Sequence, residues 1–226
     1  MAALKVNEMK YPKINTIWKR DEKTHKIIEG DFSRAEFSNI RDWHVSEKID
    51  GTNIRVKCEN HVVKFDGRTD EAQIPAHLYE ALSKMFTLAE FERIFSETAP
   101  QKVILYGEGY GARIQKGGGL YRDDAGFILF DVWVDGWWLK HDAVEDIAAK
   151  FGIPIVPMLG IMRYEQIVEY VKATPESLVT DKHKIMEGVV ARSHPLVLFR
   201  DGTPVMFKLK VRDYVWPSIP RDILGS

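Results

Sequence analysis

Alternating apolar and polar residues in several short segments predict that this chain contains β-strands. Over 53–59 every second residue is apolar, and Asn60-His61 turns the chain into a second strand over 62–65. The dipeptides Asp135-Gly136 and Asp201-Gly202 are typical of tight hairpin turns. The further predicted strands are 103–106, 127–134, 137–140, 186–192, 196–200 and 205–210. The predicted strand 103–106 should lead into a glycine-rich turn.

Apolar residues three or four positions apart predict helices among these strands. One helix starts after Pro75 and restarts near Thr87, and another covers 166–171. Asp142 followed by Glu145 has the spacing of a capping box, so we expect a helix to open there. Strand runs, interposed helices and several hairpins predict an α+β fold with mostly antiparallel sheets.

The composition is ordinary for a globular domain. Of 226 residues, 45% are hydrophobic and 29% charged, which excludes collagen-like, low-complexity and wholly disordered chains. Residues 1–45 show no clean period, but no linker or repeat divides the chain, so we expect one domain over 1–226. The single cysteine, Cys58, cannot form an internal disulfide, as expected in a reducing compartment.

Neither a membrane span nor a strongly basic surface is expected. The longest nearly apolar stretch, 126–139, contains two aspartates and is shorter than the ~20 residues of a spanning helix. The amino terminus lacks an apolar signal core, so we expect a cytoplasmic protein. The net charge of −1 excludes a strongly basic nucleic-acid binder but not a local basic groove.

The segment Glu47-Lys48-Ile49-Asp50-Gly51-Thr52-Asn53 contains a candidate nucleophile. A lysine beside an Asp-Gly turn that leads into a strand lies at the rim of a sheet, where its amine can face a ligand. An amine attacks only when unprotonated, so we expect burial and nearby positive charge to depress the pKa of Lys48. The alternative is an exposed lysine before an ordinary turn.

A second pair of lysines lies near the carboxy terminus, in Phe207-Lys208-Leu209-Lys210. Strand alternation places Lys208 and Lys210 on one face and the two apolar residues on the other. Two neighbouring ammonium groups repel each other unless an anion relieves them, and a polyphosphate would do so. The alternative is an edge strand whose lysines prevent aggregation.

Two carboxylates and one aromatic residue complete the candidates. Glu187 precedes an apolar run, and Glu108 lies between glycines at a strand end, where it could accept hydrogen bonds from sugar hydroxyls. Phe130 could stack on a base or fill the core. The glycine run 117–119 is not a phosphate-binding loop, because no Lys-Ser/Thr follows it.

Taken in order, these motifs resemble those of the covalent nucleotidyltransferase superfamily of polynucleotide ligases and RNA capping enzymes. The chain is most similar to the RNA ligase 2 family within that group. The similarity lies in Glu-Lys-x-x-Gly-Thr-Asn, Gly-Glu-x-x-Gly followed by Ile-Gln-Lys, Phe-x-x-Phe-Asp, Glu-Gly-x-Val and Lys-x-Lys, spread from Glu47 to Lys210. It implies a nucleotidyltransferase (ATP-grasp-like) domain.

The resemblance also implies an activity, the ATP-dependent joining of 5′-phosphate and 3′-hydroxyl RNA ends. Lys48 would attack the α-phosphate of ATP and form a lysyl-AMP, which is then passed to the 5′-phosphate. Lys208 and Lys210 would neutralise the α-phosphate. The implied cofactors are ATP and Mg²⁺ or Mn²⁺, and the implied partner is RNA, including a nicked duplex or an RNA/DNA hybrid.

Further site residues follow from the same resemblance. Arg68 would contact the nucleotide or the incoming 5′-phosphate, and Glu108 the ribose hydroxyls. Phe130 and Val190 would cover the two faces of adenine, and Glu187 would help to place the metal through water. Secondary contacts are expected from Glu47 and Asn53.

The chain departs from its relatives after Lys210, where only 16 residues remain (226 − 210). We therefore expect neither an OB-fold nor a carboxy-terminal helical domain, and an accessory protein or a dimer could replace them. Basic side chains around the site would then hold the RNA backbone, namely those of Arg113, Lys116, Arg192 and Arg212.

Three other activities share some of these features. A minimal DNA nick-sealing ligase would use the same nucleotide chemistry, and a capping guanylyltransferase would use GTP. An inactive nucleic-acid-binding relative would keep the fold without forming a nucleotide adduct. Of these alternatives, a DNA ligase is the hardest to distinguish from an RNA ligase by sequence. The protein would recognise RNA by the shape of the 3′-hydroxyl strand and by contacts with its 2′-hydroxyl groups.

Overall fold

The computed structural model describes residues 10–69 and 72–215. The ends of the predicted domain, 1–9 and 216–226, lie outside the described residues. The strands are β1 (Asn15–Thr16), β2 (Trp18–Arg20), β3 (Ile27–Phe32), β4 (Asp42–Lys48), β5 (Thr52–Glu59), β6 (Val62–Asp66), β7 (Lys102–Gly111), β8 (Ala125–Val134), β9 (Trp137–Trp138), β10 (Met158–Met162), β11 (Gly188–His194) and β12 (Met206–Lys210). The α-helices are α1 (Ala76–Met85), α2 (Leu88–Ile94), α3 (His141–Phe151), α4 (Tyr164–Lys172) and α5 (Arg212–Val215), and 3₁₀ turns cover Ala35–Asn39 and Gly118–Leu120.

Two five-stranded sheets form the framework of the fold. Sheet I has the strand order β1-β12-β11-β4-β10, and sheet II has the order β6-β5-β7-β8-β9. All neighbours in both sheets are antiparallel except the short pair β1 and β12. Strands β2 and β3 form a separate ribbon. The α+β prediction with mostly antiparallel sheets is therefore confirmed.

Each sheet buries one face against its own helices. Trp43, Val45 and Phe207 of sheet I belong to one core with residues of α4. Apolar residues of β5, β7 and β8 form a second core with α1, α2 and α3. Two smaller clusters, which include Ile49 and Phe130, lie on the opposite face of sheet II. The faces of the two sheets opposite these helices also contribute side chains to one cavity.

Several predicted elements occur with altered bounds. The hairpins at 60–61 and 135–136 are confirmed, because all four turn residues have positive φ, as this type of turn requires. The predicted strand 196–200 is wrong, since only an isolated bridge joins Leu198 to Pro204. Helix α3 starts at His141, and the Asp142 carboxylate accepts from the next amide instead of capping the helix.

The glycine-rich turn predicted after residue 106 is also wrong. Strand β7 continues through it to Gly111 and pairs with both β5 and β8. A Cβ at Gly107 would lie 2.2 Å from the ring of Phe127, and one at Gly109 would lie 2.5 Å from Leu78. These glycines therefore serve close packing within a strand rather than a reversal of the chain.

Strand β4 was missed although it carries the candidate nucleophile. Its buried Trp43 and Val45 alternate with polar residues, which is a strand signal. The charged Glu47 occupies the next buried position and interrupts that signal. Within the described part of the chain, no helix combines the length and apolarity needed to cross a bilayer.

Candidate active site

Strand pairing brings the three candidate lysines together from distant parts of the sequence. Lys48 is the last residue of β4, and its register partner on β11 is Gly188, which also pairs with Lys210 of β12. Two residues along, Lys208 pairs with Val190. The predicted convergence of Lys48, Lys208 and Lys210 is therefore present in the fold.

Glu187 binds two of these lysines. Its Oε2 lies 2.6 Å from Lys48 Nζ and its Oε1 lies 2.5 Å from Lys210 Nζ. Burial by itself raises the pKa of Glu187, but the two ammonium groups outweigh burial and leave the pKa below its usual value. Glu187 is therefore an ionised bridge between the lysines.

The prediction of a depressed pKa for Lys48 is wrong for the ligand-free protein. Burial does lower the pKa of the Lys48 amine, but the Glu187 and Glu108 carboxylates outweigh burial and raise the pKa above its usual value. The depressed pKa belongs to Lys208, at about 8, because of burial and the positive charges of Lys210 and Lys48. The resting site thus holds Lys48 as an ammonium ion.

Two polar residues of sheet II line the cavity beside Lys48. Asn53 and Glu108 are register partners on β5 and β7. Burial, together with the Glu187 charge, raises the pKa of Glu108 to about 8 despite the opposing charge of Lys48. The Asn53 Oδ1 atom is buried and has no hydrogen-bond donor among the described residues. Both side chains can therefore accept hydrogen bonds from the hydroxyl groups of a ligand.

The cavity between the sheets has a volume of about 940 Å³, which suits a nucleotide-sized ligand. Phe130 of β8 and Val190 of β11 line it from the two different sheets. Arg68, on the exposed segment after β6, lines the same cavity, and its charge also lowers the pKa of Lys208. Eight of the ten predicted site residues thus line the cavity, and the other two, Glu187 and Lys210, are joined to it through the ion pair of Glu187 with Lys48.

Glu47 occupies a different position from its neighbour Lys48. Its buried carboxylate accepts hydrogen bonds from Ser177 Oγ at 2.5 Å and from the Leu178 amide at 2.8 Å. Burial raises the pKa of Glu47, against the effect of these hydrogen bonds. In this state Glu47 holds the 177–178 segment against β4.

The site also contains an ion pair that the sequence analysis does not predict. The buried Asp131 of β8 forms an ion pair with Arg192 of β11, and Tyr11 donates to Asp131 Oδ2 at 3.0 Å. Arg192 Nη2 also donates to Tyr11 Oη at 3.1 Å. Arg192 is therefore engaged inside the protein, which corrects its expected role in holding an RNA backbone. The two residues are 61 positions apart, so local sequence pattern could not predict that they pair.

Asp50, the aspartate of the Lys48 segment, is a further titratable residue of the site. Burial and the Glu187 charge raise the pKa of Asp50 to about 6, against the Lys184 charge.

Among the described residues, no three metal-ligating side chains converge on one point. A divalent cation here would need phosphate oxygens and water as most of its ligands, with one carboxylate nearby, as is usual for nucleotide-bound Mg²⁺.

Solved structures with the same fold come from the RNA ligase of Naegleria gruberi. An apo variant is 19% identical, has a TM-score of 0.60, and matches 80% of this chain and 52% of its own. A variant solved with ATP and Mn has 19% identity and a TM-score of 0.61 over 93% of this chain and 64% of its own. A variant with AMP and Mn has 19% identity and a TM-score of 0.59 over 91% and 63%.

These likenesses confirm the predicted nucleotidyltransferase fold class, and the chain spans about half to two thirds of the length of these structures. No curated protein sequence matches the chain significantly. The sequence model of the RNA ligase family matches residues 41–210, from the start of the Lys48 strand to Lys210. The chain therefore belongs to the RNA ligase family.

Proposed function

We propose that this protein joins RNA ends at the expense of ATP, through a covalent adenylate on Lys48. The observation that carries this proposal is the convergence of Lys48, Lys208 and Lys210 around Glu187 at one end of a nucleotide-sized cavity. Family membership and the ATP, AMP and Mn bound to similar structures support it.

The cavity suggests one placement for the nucleotide. Lys48 and Val190 lie one register step of two residues apart, about 7 Å along the sheet, which suits a phosphate over the first and a base over the second. Phe130 covers the other face of that base. Between them, Glu108 and Asn53 Oδ1 accept hydrogen bonds from the ribose hydroxyls.

In the first step the Lys48 Nζ atom attacks the α-phosphorus of ATP. The N–P bond forms, the bond to the β-phosphate oxygen breaks, and pyrophosphate leaves. One ammonium proton passes to Glu187 Oε2 along their hydrogen bond before the attack, and a second leaves the nitrogen to the departing pyrophosphate as the N–P bond forms. Lys208 and Lys210 offset the negative charge that develops on the α-phosphate, which is the larger part of such catalysis.

In the following steps the adenylate moves to the RNA. An oxygen of the RNA 5′-phosphate attacks the adenylate phosphorus and releases Lys48. The 3′-hydroxyl then attacks the activated 5′-phosphate, and AMP leaves. Arg68 is exposed at the cavity rim and has the planar donor fork that suits a phosphate.

A divalent cation such as Mg²⁺ or Mn²⁺ would offset phosphate charge beside Glu187. Glu187 would hold it through water, since both of its carboxylate oxygens already contact lysines. Glu47 supports the nucleotide site from behind β4 through Ser177 and Leu178.

The test is the intact mass of the protein after incubation with ATP and Mg²⁺. We expect an AMP adduct on the parent and none on Lys48→Ala, while GTP should give no adduct. Lys208→Ala and Lys210→Ala should slow adduct formation without unfolding the protein. An unmodified parent would contradict the proposal and favour an inactive relative, and a GMP adduct would favour a capping enzyme.

Substrate choice needs a second assay with the same nick made of RNA, DNA or a hybrid. We expect joining to require RNA on the 3′-hydroxyl side and to fall steeply with salt, because phosphate contacts release counterions. Equal joining of an all-DNA nick would favour the DNA ligase alternative.

A further inference from the structure

One buried lysine near the site has no place in the proposed reaction. The Lys184 side chain is 1% exposed, and its Nζ atom has no hydrogen-bond partner among the described residues. It does not line the cavity. A charge buried in this way is costly unless its surroundings use it, so its position requires a physical reason.

Lys184 Nζ lies over the ring of Tyr121, 4.7 Å from the ring centroid. An ammonium group over an aromatic face is attracted to it, most strongly when both are removed from water. Tyr121 is also buried, and its hydroxyl accepts a hydrogen bond from the Asp50 amide at 3.2 Å. This contact reaches the backbone two residues after Lys48.

Lys184 belongs to a hairpin that also holds the other side of Lys48. In this support hairpin (residues 175–186), the Lys184 carbonyl accepts from the Ser177 amide at 2.8 Å, and Ser177 Oγ donates to Glu47. Burial lowers the pKa of Lys184, and the negative charges of Asp50, Glu187 and Glu47 oppose this effect and favour the ammonium form. The hairpin therefore contacts the residue before Lys48 directly and reaches the backbone after Lys48 through Tyr121.

The support hairpin is also tied to the loop that carries Tyr121. Thr180 Oγ1 donates to the Leu120 carbonyl at 2.7 Å, and Lys182 Nζ contacts Asp123 at 2.8 Å. From the same loop, Gln115 Nε2 donates to the Gly51 carbonyl at 3.0 Å. The 49–51 segment is thus held by a loop that the hairpin itself holds.

We infer that Lys184 is a positioning residue for adenylation: its buried ammonium fixes the Tyr121 ring, whose hydroxyl holds the Asp50 amide and so aims Lys48. The inference rests on the proposed function. It assigns Lys184 no contact with ATP, so its loss should lower the rate of attack without weakening nucleotide binding. Small misplacements of a reacting group are enough to cost about a hundredfold in rate.

The test measures single-turnover adduct formation against ATP concentration for Lys184→Met, Tyr121→Phe and the double variant. Lys84→Met is the matched control, the same change at an exposed lysine of α1 whose Nζ atom pairs with Glu80. We expect Lys184→Met to lower the saturating rate about tenfold or more while the half-saturating ATP concentration stays within about twofold. Lys84→Met should change neither.

The double variant shows whether Lys184 acts through Tyr121. We expect it to be no slower than the slower single variant, within about twofold, because both changes break the same connection. Multiplied effects would contradict the inference, and so would a parent-like rate for Lys184→Met. If Lys184→Met does not fold, as judged by thermal melting, Tyr121→Phe decides alone, and a parent-like rate overturns the inference. A parent that forms no adduct instead contradicts the proposed function.

Discussion

At the scale of single residues, the three lysines of the site differ because their neighbours differ. Lys48 and Lys210 each contact one oxygen of Glu187, whereas among the described residues no carboxylate lies within ion-pair distance of Lys208. The pKa of Lys208 is therefore lowered to about 8 by burial and by the two other ammonium groups. Lys208 is the lysine of the three whose charge is most open to change near neutral pH.

This difference predicts a pH dependence of nucleotide binding. Below pH 8 Lys208 is charged and attracts the phosphates, and above it this charge is lost, so affinity should fall as pH rises. Between pH 7 and 9.5 we expect the dissociation constant of an α,β-methylene ATP analogue to increase about three- to tenfold. Titration calorimetry measures it without the complication of the reaction.

Lys208→Arg is the control, because arginine stays charged over this whole range. In the arginine variant, the affinity for the ATP analogue should fall much less between pH 7 and 9.5. The remaining decline in affinity is due to Glu108, which has a pKa of about 8 and therefore gains negative charge over the same pH interval. An equally steep decline in the arginine variant would contradict the assignment to Lys208.

At the scale of elements, β7 depends on glycines that let neighbouring side chains approach its backbone. Gly107 lies opposite Leu129 in the β7–β8 register, and Phe127 fills the space that a Cβ would need. The strand carries Glu108 into the cavity between two such glycines. Packing of sheet II and placement of the proposed ribose contact, Glu108, thus share one segment.

Gly107→Ala should therefore destabilise the fold by about 1–3 kcal/mol, the usual cost of overpacking a core. The added Cβ would lie within 2.5 Å of both the Phe127 ring and the Ile128 carbonyl, so the backbone must shift. Urea unfolding measures the change. Gly119→Ala is the matched control, since its Cβ would meet nothing closer than 4.0 Å; equal losses in both variants would contradict the packing argument.

At the scale of the whole molecule, a buried ion pair joins the two sheets. Asp131 belongs to sheet II and Arg192 to sheet I, and Tyr11 from the amino-terminal segment bonds to both. The Tyr11 ring also packs edge-on against Phe130, with ring centroids 4.9 Å apart. One connection therefore links the two sheets and supports a wall of the cavity.

Arg192→Met should lower the free energy of unfolding by about 3–5 kcal/mol, because it leaves Asp131 buried without its partner. Replacing both residues, as Asp131→Leu with Arg192→Met, should recover most of this loss. Lys150→Met is the control, a surface lysine paired with Asp146 that should cost less than about 1 kcal/mol. A double variant no more stable than Arg192→Met would contradict the argument from an unpaired charge.

Local pattern alone was enough for much of this molecule. Alternation placed Lys208 and Lys210 on one face of a strand, turn dipeptides located two hairpins, and the order of the motifs indicated the family. These features depend on residues a few positions apart, and backbone geometry gives them the same meaning in any fold. The interrupted alternation of β4 shows the limit, because one buried charge was enough to conceal the strand.

Only the tertiary structure decided which charged groups meet. Glu187 lies 139 residues from Lys48 and reaches it through the register of β11 with β4, and that contact reverses the pKa shift expected for Lys48, the proposed nucleophile. Arg192 and Lys184 resemble surface residues in the sequence, yet pairing and burial give them other roles. The energy of a charge depends on its distances and its burial, and both are properties of the folded chain.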